Sequence, residues 1–299
     1  MGEPVVVVIE PASVCNLRCE ICETGSGVLG RKAEFMTYDN FKIIMDKIYY
    51  HTNTLMFYFM GESFLNKSAY DMIAYAKTKG IPFVTACTNG DAVDPQKLID
   101  SGIDEIQFQI AGTTQQAHQT YRAGSNVEKV LSKLKETVEI RNRANAKTKI
   151  RCGFIVMKHN EHQIDEFKTL MQSIKVDGVD IVAPCFRTIE QAQRMLPISK
   201  EYWLYDSEAL KQGILKPKTI PHNECAWLYY SITTQVNGDV VPCCRDATGK
   251  EIMGNLLQND LKEIWNGPAY LNFRERVFHN QRSVGLCKLC SAFGVPVLK

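Results

Sequence analysis

Six apolar runs alternate with amphipathic segments over residues 1–190 of this 299-residue chain. The predicted strands are Val5–Glu10, Leu55–Met60, Pro82–Thr88, Asp104–Ile110, Thr148–Met157 and Val179–Pro184. Strands that alternate with helices favour a parallel sheet with right-handed crossovers. Six units are too few to close an eight-stranded barrel. The sequence therefore predicts an α/β fold built on a partial (β/α)6 TIM-like barrel that is open on one side.

Helical spacing and helix-end signals mark the segments between these strands. Apolar residues from Val127 to Val138 recur at helical spacing, and Gly80 and Gly102 each follow a helical segment, as C-cap glycines do. The predicted helices are Thr37–Tyr50, Lys67–Lys79, Pro95–Ser101, Asn126–Arg143 and Glu161–Ile174.

Three cysteines follow the first predicted strand at C-x3-C-x2-C spacing: Cys15, Cys19 and Cys22. Soft thiolates suit iron–sulfur clusters and zinc. A cluster of four irons held by three thiolates keeps one iron open, and an open position is typical of a catalytic metal site. The alternative is a structural zinc site with its fourth ligand elsewhere, for which the C-x3 arm is not typical.

A second set of cysteines lies in the tail, at Cys225, Cys243, Cys287 and Cys290. The turn pair Asn237-Gly238 predicts a β-hairpin that brings the first two of them together. Four thiolates can close a metal site completely, and the alternative here is a zinc ribbon-like site. We expect Cys244 to lie beside these ligands rather than among them.

Composition limits the classes of partner. The 35 basic and 33 acidic side chains nearly balance, so no overall field attracts nucleic acid or acidic lipid, although a local basic pocket remains possible. No apolar run approaches the ~20 residues of a transmembrane helix. Eleven cysteines without a secretory signal indicate a reducing compartment. We therefore expect a cytoplasmic protein that binds neither membrane nor nucleic acid.

The first cysteine motif, its place after a strand, and Ile21 before its third cysteine resemble the radical S-adenosylmethionine (SAM) superfamily. The resemblance implies that Cys15, Cys19 and Cys22 hold a [4Fe-4S] cluster. It also implies that the methionine end of SAM chelates the open iron, and that one electron cleaves SAM to a 5′-deoxyadenosyl radical.

Segments at the predicted strand ends resemble the parts of that family that orient SAM. The family's Gly-Gly-Glu-Pro segment corresponds here to a segment in which Met replaces the first Gly and Ser the Pro. Asn89 and Gln109, at the ends of the third and fourth predicted strands, and Arg122 complete the set. The resemblance implies that Arg122 binds the SAM carboxylate. The SAM contacts that the resemblance implies are Met60, Gly61, Glu62, Ser63, Asn89, Gln109 and Arg122. The alternatives are a plain turn at Asn89 and a solvated helix residue at Arg122.

The tail pattern resembles the auxiliary-cluster (twitch/SPASM) domain that follows some radical SAM barrels. The resemblance implies a second [4Fe-4S] cluster on the four tail cysteines. Segments around Met253, Ile264 and Phe273 are also similar to the single-cluster 2-deoxy-scyllo-inosamine dehydrogenases of that family. We therefore expect a barrel over 1–190, a connector over 191–224 and an auxiliary-cluster domain over 225–299.

Candidate catalytic residues follow the sixth predicted strand. The thiol of Cys185 could donate a hydrogen atom to a substrate radical, although a free cysteine is more often a small core residue. Arg187 could bind an anionic substrate or assist deprotonation. His118 and His159 have no identifiable partner, and we expect both at the surface.

These observations predict a radical SAM oxidoreductase that dehydrogenates a small molecule, such as a sugar or cyclitol, with a reductant such as flavodoxin or ferredoxin. A redox-neutral epimerase and a peptide-modifying enzyme are the alternatives within the family. Peptide-modifying members often carry a leader-binding domain before the first strand. Because the motif here begins at residue 15, we expect a small molecule rather than a peptide. A non-catalytic iron–sulfur or zinc protein is the alternative of another class.

Overall fold

The computed structural model describes residues 2–219 and 222–290. Residues 220–221 of the predicted connector and 291–299 of the predicted tail domain lie outside the described part. The strands within it are β1 (Val6–Ile9), β2 (Thr54–Met56), β3 (Phe83–Thr88), β4 (Glu105–Ile110), β5 (Lys149–Ile155), β6 (Gly178–Val182), β7 (Ser231–Thr234), β8 (Asp239–Val241) and β9 (Gly254–Asn255).

Helices lie between the strands β1 to β7 along the chain and again after β9. They are α1 (Tyr38–Ile48), α2 (Ala69–Thr78), α3 (Pro95–Asp100), α4 (Gln115–Tyr121), α5 (Val127–Arg143), α6 (Ile164–Ile174), α7 (Ile189–Met195), α8 (Ser207–Lys211), α9 (Trp227–Tyr230), α10 (Leu261–Trp265) and α11 (Pro268–Asn280). Single 3-10 turns cover Ser63–Leu65, Glu161–Gln163, Lys200–Tyr202, Gln281–Ser283 and Gly285–Cys287. None of these helices is long and apolar enough to cross a membrane.

The six predicted barrel strands form one parallel sheet in chain order. The order is β6-β5-β4-β3-β2-β1, with each strand hydrogen-bonded to the next along the chain. No pairing joins β6 to β1 within the described ranges, so the barrel is open. The predicted fold class, an α/β partial (β/α)6 TIM-like barrel, is confirmed.

The tail hairpin joins the same sheet. Strand β7 pairs in parallel with β1, with Val7 opposite Ile232, and β8 returns antiparallel to β7. The turn between them places Gly238 at φ +87°, a conformation that glycine adopts at little cost. The tail hairpin, which we call the auxiliary segment together with the residues that follow it, is therefore continuous with the barrel sheet through β1. Strand β1 also leads into the first cysteine motif.

Strand β2 ends at Met56, earlier than the predicted Met60. The Phe57 amide still donates to the Thr85 carbonyl of β3 at 2.7 Å, but from there on the backbone takes partners outside the sheet. The Met60 amide donates to the buried carboxylate of Glu10 at 3.2 Å, and the Phe57 carbonyl accepts from the Ser63 hydroxyl at 3.0 Å. The missing ladder bonds are thus replaced by side-chain contacts that shape the loop after β2.

Buried side chains form two groups. The larger lies between the sheet and its helices and includes Phe41, Phe108 and Phe154. The smaller joins the first cysteine loop, through Leu17 and Ile21, to four buried side chains of the segment 186–205: Phe186, Ala192, Leu196 and Tyr205. The segment after β6 therefore packs against the cysteine loop.

Candidate active site

Gly61 fixes the approach of the loop after β2 to the first cysteine loop. A Cβ at this position would lie 2.4 Å from the Ala12 carbonyl oxygen and 2.7 Å from that of Val14, and φ is +79°. Both the space and the backbone conformation require glycine. The Glu62 amide next to it donates to the Val14 carbonyl at 2.8 Å. The segment Met60–Ser63 is therefore docked against the cysteine loop.

The thiols of Cys19 and Cys22 lie close enough to Cys15 for their charges to affect the pKa of Cys15. Burial raises the pKa of Cys15 to about 11, the Leu17 amide lowers it, and the charges of Glu62, Cys19 and Cys22 raise it further. The Asn89 amide nitrogen lies 3.9 Å from the Cys15 sulfur. Buried thiols with raised pKa values need a cation to become thiolates, and bound iron supplies one.

The three thiols are soft sulfur donors, which suit an iron–sulfur cluster as well as zinc. Three of them leave one iron of a four-iron cluster without a protein ligand, as a catalytic site requires. The donor set therefore fits a cluster. Among the residues that the structure describes, no group of three or more His, Cys, Asp or Glu side chains is arranged to hold one metal ion.

Glu62 links the loop after β2 to the end of β3. Its side chain is buried and accepts from the Asn89 amide at 2.8 Å and the Thr88 hydroxyl at 2.8 Å. Burial raises the pKa of Glu62, and these hydrogen bonds lower it. The Asn89 side chain in turn donates to Asn16 in the cysteine loop at 2.9 Å. Two of the predicted SAM contacts thus lie together beside the cysteines.

Arg122 lies at the end of α4, against the cysteine loop. Its Nη1 is 3.9 Å from the Cys19 sulfur, and its guanidinium lies 5.2 Å from the Tyr121 ring centroid. Its Nε is buried and has no acceptor among the described residues. A guanidinium with a free donor at this place fits a carboxylate ligand.

Gln109 lies near the end of β4, the strand next to β3, which leads to Asn89. Its amide nitrogen donates to Gln107 at 2.8 Å. Its side chain covers Gly153, where a Cβ would lie 2.7 Å from the Gln109 oxygen. Its predicted contact with the SAM ribose stays a prediction, as do those of Asn89 and Arg122.

Arg187 contacts the cysteine loop. It donates to the carbonyls of Ile21 at 2.6 Å and Glu20 at 3.2 Å and to the Ser26 hydroxyl at 3.0 Å, and it lies 3.4 Å from the Glu23 carboxylate. Most of its donors are therefore used in holding the backbone between Cys19 and Cys22. Its predicted catalytic role is untested by these contacts.

A cavity of about 560 Å³ lies between the first cysteine loop and the tail. Cys22, Glu23 and Tyr121 line one side. Cys244 and Arg245 line the other, and Cys185 also faces it. The Arg245 guanidinium lies 3.7 Å from the Cys185 sulfur. A cavity of this size accommodates a small organic molecule together with polar contacts.

The tail thiols surround a second cavity, of about 320 Å³, lined by Cys225, Cys243, Cys244 and Cys290. Burial raises the pKa of Cys243 well above its ordinary value, and the charges of Cys244, Cys287 and Cys225 add to the rise. Three of the four predicted ligands thus line this cavity together with Cys244. Burial raises the pKa of the fourth, Cys287, to about 11, and this thiol lies close enough to Cys290 and Cys225 for their charges to add to the rise. Which four bind iron stays a prediction.

Some contributors were missed by the sequence analysis. Glu10 is completely buried. It accepts from Arg31 at 2.7 and 2.8 Å, from the Val236 amide at 2.9 Å and from the Met60 amide. The sequence signal that could have identified Glu10 was its carboxylate at the end of the apolar run Val5–Ile9. Arg245, directly after Cys243-Cys244, carried none beyond its position.

The expected surface position of His118 is wrong. The ring is completely buried. Nδ1 accepts from the Ala111 amide at 3.3 Å, and Nε2 lies 3.0 Å from the Ser125 hydroxyl. Burial lowers the pKa of His118 to about 4, so the ring is neutral and joins the end of β4 to α4. His159 is half-buried, and its Nε2 has no partner within the described ranges.

Comparison with known families agrees with this geometry. The chain belongs to the radical SAM superfamily, whose profile matches residues 9–174, more than half of the chain. Residues 225–291 match the iron-sulfur cluster-binding domain SPASM. The protein is thus a radical SAM enzyme with a SPASM domain. As the sequence predicted, its cofactors are SAM and a [4Fe-4S] cluster, with additional iron–sulfur cluster content in the SPASM domain.

Individual relatives are distant. The chain is 25% identical over 310 residues to the tungsten-containing aldehyde ferredoxin oxidoreductase cofactor-modifying protein of Pyrococcus furiosus, covering 89% of this chain and 82% of that protein. The crystal structure of BtrN with AdoMet and 2-DOIA superposes with a TM-score of 0.58 at 20% identity, over 97% of this chain and 93% of BtrN.

Streptococcus suis SuiB bound to S-adenosylmethionine superposes with a TM-score of 0.71 at 15% identity, over 97% of this chain and 72% of SuiB. At these identities, the two structures show the shared fold.

Proposed function

We propose that the protein dehydrogenates a small molecule by radical chemistry and passes the second electron to an auxiliary [4Fe-4S] cluster in the tail. The observation that carries the proposal is the cavity of about 560 Å³ that has Cys22 on one side and Cys244 with Arg245 on the other. A substrate there would lie between the two cysteine sets, within reach of a radical formed at the first and of an acceptor at the second.

The residues at the first set are assigned as follows. Cys15, Cys19 and Cys22 would hold the SAM-cleaving cluster, and the segment Met60–Ser63 would face the SAM amino group. Arg122 would bind the SAM carboxylate through its unpartnered Nε. When bound and reduced, SAM and this cluster supply a 5′-deoxyadenosyl radical that takes a hydrogen atom from the substrate.

The tail would hold the auxiliary cluster through Cys225, Cys243, Cys287 and Cys290, and that cluster supplies an electron acceptor. Oxidation of an alcohol also releases a proton. The Glu23 carboxylate lines the cavity and can accept it at Oε1, with Arg187 stabilising the carboxylate from 3.4 Å. Arg245 lines the same cavity and can orient a polar substrate group.

The choice of a small substrate, such as a sugar or cyclitol, is supported by the fold shared with BtrN, which was crystallised with 2-DOIA. A flavodoxin or ferredoxin is the proposed reductant. Two observations favour the alternatives. Cys185 lines the cavity, where a thiol could return a hydrogen atom in a redox-neutral epimerisation. SuiB, which shares the fold, was crystallised with its precursor peptide SuiA, which favours peptide modification.

Anaerobic metal analysis tests the proposal. We expect about eight irons per chain, from two four-iron clusters, and about four in a variant with Cys15, Cys19 and Cys22 all changed to Ala. A matched control is Cys152→Ala, because Cys152 is buried in the barrel core away from both sets. The wild type should form 5′-deoxyadenosine from SAM on reduction, and the triple variant should not.

Three other outcomes would contradict the proposal. Zinc instead of iron in the tail would remove the electron acceptor and favour epimerisation. Iron without SAM cleavage would favour a non-catalytic iron–sulfur protein. No iron in either set would exclude the radical reaction.

A further inference from the structure

The indole N–H of Trp227 differs from the other two indoles of the chain. Trp203 donates to the Pro197 carbonyl at 2.7 Å, and Trp265 donates to the Gly2 carbonyl at 2.6 Å. The Trp227 Nε1 is buried and has no acceptor among the described residues. A buried donor without an acceptor is destabilising, and such donors nearly always have a partner. An acceptor for Trp227 is therefore expected.

The surroundings of Trp227 indicate which acceptor. The residue begins α9 two positions after Cys225. It lines the cavity of about 320 Å³ together with Cys225, Cys243 and Cys290. The Cys244 thiol and the apolar side chains of Val8 and Met56 line the same cavity. Trp227 therefore faces a space that is bordered by four cysteine side chains.

We infer that the indole N–H of Trp227 donates a hydrogen bond to a sulfur of the auxiliary cluster and thereby raises its reduction potential. The inference rests on the proposed function, which assigns a [4Fe-4S] cluster to this cavity. A hydrogen bond to sulfur stabilises the more negative, reduced cluster more than the oxidised one. The donor makes the cluster a better acceptor for the electron that dehydrogenation releases.

The ring of Tyr230 is the competing acceptor. The two rings form a T-shaped pair, with centroids 5.5 Å apart and planes at 70°. An N–H directed at an aromatic face is a weak hydrogen bond and would leave the cluster unaffected. The two possibilities predict different spectra and different potentials.

The first test uses the native indole. The variant with Cys15, Cys19 and Cys22 changed to Ala isolates the auxiliary cluster, and the protein is grown with tryptophan labelled with ¹⁵N in the indole ring. We expect the reduced cluster to show one ¹⁵N hyperfine coupling and one exchangeable proton coupling by ENDOR. Trp203 and Trp265 serve as internal controls, because their N–H groups are already bound to carbonyls. The absence of both couplings would overturn the inference.

The second test replaces the donor. In the same background, Trp227→Phe keeps an aromatic ring and removes the N–H. We expect a more negative midpoint potential, with the ratio of oxidised to reduced cluster at a fixed potential rising by up to about tenfold, which is about 59 mV for one electron. Trp203→Phe should not change the potential.

The outcomes separate the inference from the function on which it rests. A fully loaded Trp227→Phe protein with an unchanged potential would overturn the hydrogen bond and leave the proposed function intact. If the triple-Ala protein holds no iron in its tail, both are overturned. If Trp227→Phe loses its iron, the ¹⁵N experiment on the native indole decides.

Discussion

Arg31, whose side chain is 12% exposed, and the fully buried Glu10 form a two-point salt bridge, with N–O distances of 2.8 and 2.7 Å. Arg31 also donates to the Ala247 carbonyl of the tail at 2.7 Å, and Glu10 accepts from the amides of Val236 and Met60. One ion pair at the end of β1 thus connects the segment after the cysteine motif, the loop after β2 and the auxiliary segment.

Removing the charge of Glu10 should destabilise the protein strongly. Glu10→Gln leaves Arg31 without its buried counter-charge, and such a loss costs about 3–5 kcal/mol. Denaturant unfolding under anaerobic conditions measures the change in the free energy of unfolding. Glu34→Gln is the control, because its pair with the exposed Lys32 is worth about 0–1 kcal/mol. If both substitutions changed the free energy of unfolding equally, the Glu10 contacts would stabilise the protein no more than an exposed ion pair does.

Arg187→Gln should weaken the hydrogen bonds that fix the backbone of the first cysteine loop. The carbonyls of Ile21 and Glu20 lose their donor, so we expect a chelator to remove the first cluster faster while the tail cluster is retained. Arg194→Gln is a matched control on the same loop, because Arg194 pairs there with Glu20 in an exposed position. Normal iron retention and SAM cleavage with blocked substrate turnover would instead support the predicted catalytic role of Arg187.

Arg122→Gln should weaken SAM binding by about 10- to 100-fold, as expected for the loss of a hydrogen-bonded charge on a carboxylate. Arg122→Lys should retain part of the affinity, because it keeps the charge but loses the two-point geometry. Arg143→Gln, at the exposed end of α5, is the control. Equilibrium binding to the cluster-loaded protein measures the effect, and an unchanged dissociation constant would exclude the proposed carboxylate contact.

His118 should make stability fall at acid pH. Burial lowers the pKa of His118 to about 4, whereas in the unfolded chain it is about 6.5. Between these values the unfolded state binds more protons, so the free energy of unfolding falls as pH drops from about 6.5 to about 4, by up to about 3 kcal/mol. Below about 4 this contribution is already lost.

The comparison is with His118→Gln, which cannot take up the proton. The difference in unfolding free energy between the wild type and this variant should narrow as pH falls through that range. A constant difference would show that His118 is protonated in the folded protein as readily as in the unfolded chain.

Spacing along the chain was enough to predict the local chemistry of both cysteine sets. Cys15, Cys19 and Cys22 lie within eight residues, so their proximity is a property of one loop and does not depend on the fold. The strand candidates were predicted because a parallel strand that is covered on both faces must be apolar throughout. Their order followed from chain order, since each crossover leads to the adjacent strand.

What lies between the two cysteine sets was decided by tertiary structure. The pairing of β7 with β1 places Cys244 and Arg245 across a cavity from Cys22, and no local pattern encodes contacts between residues more than two hundred positions apart. The early end of β2, the burial of His118 and the unpartnered indole of Trp227 have the same origin. In each case, the preference of a short segment was overridden or completed by side chains that only the folded chain brings within hydrogen-bonding distance.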